Sequence, residues 1–221
     1  MQGQARLAQI FPKWLNWLAL AVGAGKLLGI VVVIGAIWYF FSPSYTDVGY
    51  RPHQPIEYSH ALHVGDLGLD CRYCHFSVES SPVAVVPPTQ TCMNCHKVVL
   101  RDSEKLAPLH ESVATGRPIR WVRVHNLPDY AFFNHSVHVR AGVGCVSCHG
   151  AVDKMVEITQ VEPLSMGWCL DCHRNPAPHL RPTEDVTNME WFPPRDHAEF
   201  AARMIEEKKL QPPVDCSGCH R

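Results

Sequence analysis

Cys71-Arg-Tyr-Cys74-His75, Cys92-Met-Asn-Cys95-His96, Cys145-Val-Ser-Cys148-His149, Cys169-Leu-Asp-Cys172-His173 and Cys216-Ser-Gly-Cys219-His220 together hold all 10 cysteines of the 221-residue chain. Each run is Cys-x-x-Cys-His, the attachment signature of c-type haem. The spacing follows from the chemistry. Two thiols about one helical turn apart can add to the two vinyl groups of a porphyrin, and the next residue brings an imidazole to the iron. Zinc sites also use Cys-x-x-Cys pairs, but they have no need of a His directly after each second Cys. A disulfide framework would not give every pair the same tight spacing. The sequence therefore predicts five covalent haems, with His75, His96, His149, His173 and His220 as the first axial ligands.

Nine further histidines remain of the 14: His53, His60, His63, His110, His125, His135, His138, His179 and His197. A low-spin electron-transfer haem takes one more ligand, usually His or Met, so composition forces no open iron. Two runs stand apart, Tyr58-Ser-His60-Ala-Leu-His63-Val64 and Phe133-Asn-His135-Ser-Val-His138-Val139, both aromatic-x-His-x-x-His-Val. Positions i and i+3 share a helix face, so each pair can serve two neighbouring haems. His60, His63, His135 and His138 are predicted to bind iron. The repeat extends to the motifs that follow and reads as a duplicated two-haem module, about residues 58–96 and 133–173, with a fifth haem in 174–221.

The fifth distal ligand is less determined. His125 lies in the extended run Ile119–His125 and ranks first. His197 ranks second: it opens a helix signalled by Pro193-Pro194, Asp196 as N-cap and Glu199, and it shares a face with Phe200, Ala201 and Met204. His110, on the predicted helix 103–115 ended by Gly116, reads more readily as a buried hydrogen-bonded side chain, and His179 as loop. Met166 and Met204 are sulfur alternatives that would raise one haem's potential. The alternating residues of 119–125 and 155–161 suggest one small hairpin.

Charge is divided unevenly. The net charge of −1 leaves no basic excess for nucleic acid. Residues 1–41 contain Arg6, Lys13 and Lys26 and no acid, whereas 42–221 contain 17 basic and 21 acidic side chains. Between Val22 and Phe41 the one charge is Lys26, and 20 helical residues span roughly 30 Å, the thickness of a bilayer core. Trp14, Trp17, Trp38 and Tyr39 sit where interfacial aromatics belong, and Phe41-Ser-Pro-Ser44 offers no small-x-small cleavage site. The expected organisation is a cytoplasmic or interfacial segment 1–21, an uncleaved transmembrane helix 22–41 and a periplasmic pentahaem domain 42–221. With the basic residues before the span, the N-terminus would be cytoplasmic, in the inner membrane. The expected fold is mainly α and irregular: one membrane helix and a compact multihaem domain with little β structure. So little chain per cofactor makes the porphyrins much of the core.

The aromatic-x-His-x-x-His and Cys-x-x-Cys-His grammar resembles the cytochrome c3/c7 class. Val48-Gly-Tyr-Arg-Pro52, Gln54-Pro-Ile-Glu-Tyr-Ser-His60, Asp70-Cys-Arg-Tyr-Cys-His75, Leu127-Pro-Asp-Tyr130 and Met166-Gly-Trp-Cys-Leu-Asp-Cys-His173, with one membrane helix and five motifs, resemble the pentahaem cytochrome c subunit of alternative complex III. The resemblance implies an electron-transfer subunit, not catalytic alone. Its partners would be membrane and iron–sulfur subunits that oxidise quinol, and its acceptor a cytochrome c or a terminal oxidase. Two other functions compete. A stand-alone membrane-anchored quinol dehydrogenase would place a haem almost at the membrane, yet Cys71 lies thirty residues beyond Phe41, and no motif has a Met two residues after its His. A multihaem reductase with an open iron would be expected to alter one motif, and all five are ordinary.

Overall fold

A computed structural model of the chain describes residues 10–220 and divides it after Thr46 into two compact units. Arg6, which entered the charge argument, lies outside the described residues.

The first unit is built on α1 (Trp14–Phe40), 27 residues long, followed by the single turn α2 (Pro43–Thr46). Pro12 precedes the helix and its carbonyl accepts from Leu15 N at 3.0 Å, so the proline sits where a missing amide costs nothing. The helix starts earlier than the predicted 22–41 and takes Trp14 and Trp17 into its first turns. It is long and apolar enough to cross a membrane. Apart from Asn16 and Lys26 its side chains are apolar or glycine on every side and none is buried, as suits a helix surrounded by lipid.

The second unit, from Asp47 onward, is a set of short helices joined by extended loops, with no strand among the described residues. Only two isolated bridges occur, Ala131 with His220 and Val143 with Leu180. The motif helices are α3 (Cys71–Cys74), α4 (Thr89–His96), α7 (Val146–His149), α8 (Met166–Arg174) and α10 (Cys216–Cys219). Between them lie α5 (Ala107–Thr115), α6 (His135–Ala141) and α9 (His197–Lys208). The predicted 103–115 helix is present as a tight turn Glu104–Leu106 running into α5, and it stops at Gly116 with φ +69°.

The hairpin expected from 119–125 and 155–161 does not form. Both sides of the Gln54 amide hold Val122 instead, Nε2 donating to Val122 O and Val122 N donating to Oε1, each at 2.9 Å. Gln160 exchanges backbone bonds with Gly49 and Tyr50 at 2.8 and 3.0 Å. Each run has found a partner in the 49–54 segment, so neither has an edge left to offer the other.

Apolar burial is sparse. Leu106, Leu109, Val139, Leu180, Val186, Ala201 and Met204 are the buried apolar side chains among the described residues. The one cluster they form joins Leu180 to Ala201 and Met204 of α9, with Val143, Ala177, Phe200, Ile205 and Leu210 around them. A domain of this length normally closes around a contiguous apolar core. Here the side chains do not supply one.

Candidate functional site

Each Cys-x-x-Cys-His run is wound as a turn of helix, and in three of the five a side chain caps the helix. Asp70 Oδ1 accepts from Arg72 N at 2.7 Å, Ser165 Oγ from Trp168 N at 3.3 Å, and Asp215 Oδ1 from Gly218 N at 3.1 Å. The His amide then donates back to the carbonyl of the first Cys: His75 to Cys71 at 2.8 Å, His149 to Cys145 at 3.0 Å and His220 to Cys216 at 2.8 Å. One turn therefore brings two thiols and an imidazole to one side. None of the ten cysteines is joined in a disulfide.

Seven of the imidazoles share a second feature, while the buried Nδ1 of His60 has no partner. Nδ1 donates to a backbone carbonyl in His75 (Val85, 2.7 Å), His96 (Val99, 3.1 Å), His173 (Pro213, 2.7 Å) and His220 (Tyr130, 3.2 Å). The same holds for His63 (Ser59, 2.8 Å), His135 (Pro82, 2.9 Å) and His138 (Asn134, 2.8 Å). A carbonyl can only accept, so the proton is fixed on Nδ1 and the Nε2 lone pair is left for a metal.

These rings face one another in pairs. His63 and His96 have centroids 6.2 Å apart, His135 and His149 6.4 Å, and His138 and His173 6.1 Å, with interplanar angles of 58°, 9° and 31°. Two metal–nitrogen bonds of about 2 Å and two ring radii of about 1.1 Å sum to roughly 6 Å, so each gap is the width of one metal ion. His60 is held beside His75 and His63; burial first, then those two neighbours, lowers it to about 4. The two His-x-x-His runs are built alike. Tyr58 meets His60 edge-on at 4.7 Å and stacks on His63 at 4.4 Å, while Phe133 meets His135 at 4.7 Å and His138 at 4.6 Å in the same two poses. Among the described residues no cluster of three or more His, Cys, Asp or Glu could chelate a bare metal ion. This donor set suits an ion already held in a macrocycle and needing axial ligands alone.

The third motif is the most enclosed. Burial pushes the Cys148 thiol up to about 12 and Cys145 to about 11. His149 is held down to about 3 by burial first, then by His125, His135 and His75.

The structure separates the candidates for a fifth distal ligand. His125 lies 4.4 Å from the His149 ring at 80°, too close for a metal between them, and its buried Nε2 has no hydrogen-bond partner. His197 donates from Nε2 to Leu180 O at 2.7 Å and packs on Trp191 and Phe200. It does open α9 after Asp196, but the Asp196 side chain makes no capping bond. His110 donates from Nε2 to Arg101 O at 2.9 Å. His179 ends the turn Ala177–His179. Met204 is buried against Leu180, whereas Met166 is 65% exposed on α8. None of these is paired with the His220 ring, whose aromatic neighbour is Tyr130 at 5.8 Å.

The carbonyls that fix each tautomer could not be found in the sequence, because they are backbone atoms of residues up to ninety positions away. The aromatic residue before each His pair was visible as a repeat.

No protein-family model matches the chain. A curated relative from Nitratidesulfovibrio vulgaris, the menaquinone reductase multihaem cytochrome c subunit, is 34% identical over 123 residues, 55% of this chain and 56% of the relative. The match thus spans about half the length of each protein.

Proposed function

We propose that the chain binds five c-type haems and acts as an electron-transfer subunit of a quinone-linked respiratory complex. The observation that carries this is the set of three facing imidazole pairs, 6.1–6.4 Å apart, each joining a motif histidine to a His-x-x-His histidine. The relative named for a multihaem cytochrome c subunit supports it.

The thiols of Cys71 and Cys74, Cys92 and Cys95, Cys145 and Cys148, Cys169 and Cys172, and Cys216 and Cys219 would hold the haems. Axial pairs would be His75 with His60, His96 with His63, His149 with His135, and His173 with His138. For His220 the partner comes from outside these four. His125 keeps an unengaged Nε2, while His197 Nε2 donates a hydrogen bond to Leu180 O. Each bound haem would supply one iron that alternates between the ferric and ferrous states, a one-electron centre. The protein's part is positional. Nδ1–H bonds to carbonyls make the ring nitrogens better donors and hold the rings in place. Helix α1 would anchor the chain in the membrane with the haem domain outside the cytoplasm.

At finer grain, the resemblance to the pentahaem subunit of alternative complex III favours quinol oxidation by membrane and iron–sulfur partners, with a periplasmic cytochrome or terminal oxidase as acceptor. The name of the relative favours a second reading with the same residues and opposite flow, into menaquinone.

Mass spectrometry of the purified chain should find five thioether-bridged haem adducts; bare thiols would end the proposal. A quinol analogue should reduce the haems only when partner subunits are present. Rapid reduction of the single chain would make it a quinol dehydrogenase in its own right. Carbon monoxide or nitrite binding to a native iron would make it a reductase.

A further inference from the structure

The ten cysteines are not equally open. Cys95 and Cys216, of the second and fifth motifs, are exposed, and the other eight are partly enclosed.

Direct contacts show which motif lies beside which. Asn94 of the second donates from Nδ2 to the Tyr73 hydroxyl of the first at 2.9 Å. The first and third are joined by two links. Ala61 N donates to Met155 O at 2.9 Å, just beyond the third motif. His135, which faces His149, donates from Nδ1 to Pro82 O in the loop after the first motif. The third and fourth share α6, because His135 and His138, one turn apart, face His149 and His173. The fourth and fifth meet at Pro213, which accepts from His173 Nδ1 at 2.7 Å and packs so closely on Gly218 that a Cβ there would strike its ring.

We propose that the motifs lie in the spatial order second, first, third, fourth, fifth, so that redox partners meet this chain at the second and fifth motifs and the first is interior. This rests on the haem reading above and goes beyond it, since chain order would put the first motif at an end.

The test uses the full haem-loaded protein. Val98 and Val214, 75% and 56% exposed and close in sequence to the second and fifth motifs, are replaced singly by Cys and labelled with a ruthenium bipyridyl photosensitiser. A second substitution, His63→Met, gives the second centre a sulfur ligand and a higher potential, making it an electron trap. After a flash, the trap should fill fastest from the Val98 label, and from the Val214 label it should fill more slowly than the same trap placed on the first centre by His60→Met, read by the methionine–iron charge-transfer band. Equal filling from both labels, or the reverse ranking, overturns the order. If the Met variant does not retain five haems, freeze-quench electron paramagnetic resonance of the labelled proteins with native ligands gives the same answer. The third centre, with near-parallel imidazoles, should never be the first signal lost. Its loss first from either label overturns the order. A preparation without covalent haem refutes the underlying reading, not the order alone.

Discussion

Asp70 performs three tasks with one carboxylate. It caps α3, receives the Arg72 guanidinium at 2.9 Å from both Nε and Nη2, and accepts from Thr187 Oγ1 at 3.0 Å, joining the first motif to a segment 117 residues away. The Arg72 hydrogen bond, the largest cause, holds its pKa down to about 2 against some burial. A depressed carboxylate stabilises the fold above its unfolded pKa, near 4, and that contribution is lost as pH falls toward 2. The side chain is 43% exposed, so the ion pair itself counts for little and the cap dominates. Asp70→Ala should cost about 1 kcal/mol in thermal denaturation at neutral pH, and the gap to wild type should close in acid. The ring before each His pair makes a different prediction. Tyr58 and Phe133 set two imidazole planes each, so Tyr58→Ala should change the low-spin resonance signals of the first two centres while Tyr58→Phe leaves them unmoved. Unchanged spectra in Tyr58→Ala would remove the ring from any positioning role. The candidate ligands could be picked out in the sequence because iron chemistry demands fixed residue types at fixed spacing. Pro82, Val85 and Pro213 were not, because any residue has a carbonyl.

Among the elements, α6 is the most constrained. It carries two facing histidines and ends at Gly142, whose φ of +92° places it in the left-handed region. A Cβ there would strike the Met204 methyl of α9 and the Arg181 carbonyl. Gly142→Ala combines backbone strain with a clash at the apolar cluster around Leu180, and should destabilise the domain by more than about 1 kcal/mol, measured by denaturant midpoint. Helices with strong end signals, α5 with Gly116 and α9 after paired prolines, were legible within a residue or two. The hairpin was misread for a definite reason. Alternation records which residues could line a strand, and it is silent about a Gln54 side chain that satisfies Val122 from outside. Asp196 was placed correctly before α9, yet its side chain makes no bond to the first turn. Composition indicated the cap position, and local geometry decided whether a bond formed.

The chain divides after Thr46, a few residues beyond the change of composition at Phe41, into one unit up to Thr46 and another from Asp47. A chain begun at Asp47 should therefore appear in the soluble fraction with its absorption spectrum intact, whereas the full chain should sediment with membranes. Retention of the shortened form on membranes would indicate a second means of attachment. The scarcity of buried apolar side chains carries a consequence for the cell. On the haem reading proposed above, a polypeptide whose interior is completed by its cofactor would have no stable resting form before loading, and maturation and folding would be one event. Under iron starvation such a protein would not accumulate as an inactive reserve. It would be cleared by proteolysis, and the shortage would register as fewer molecules, each still fully competent.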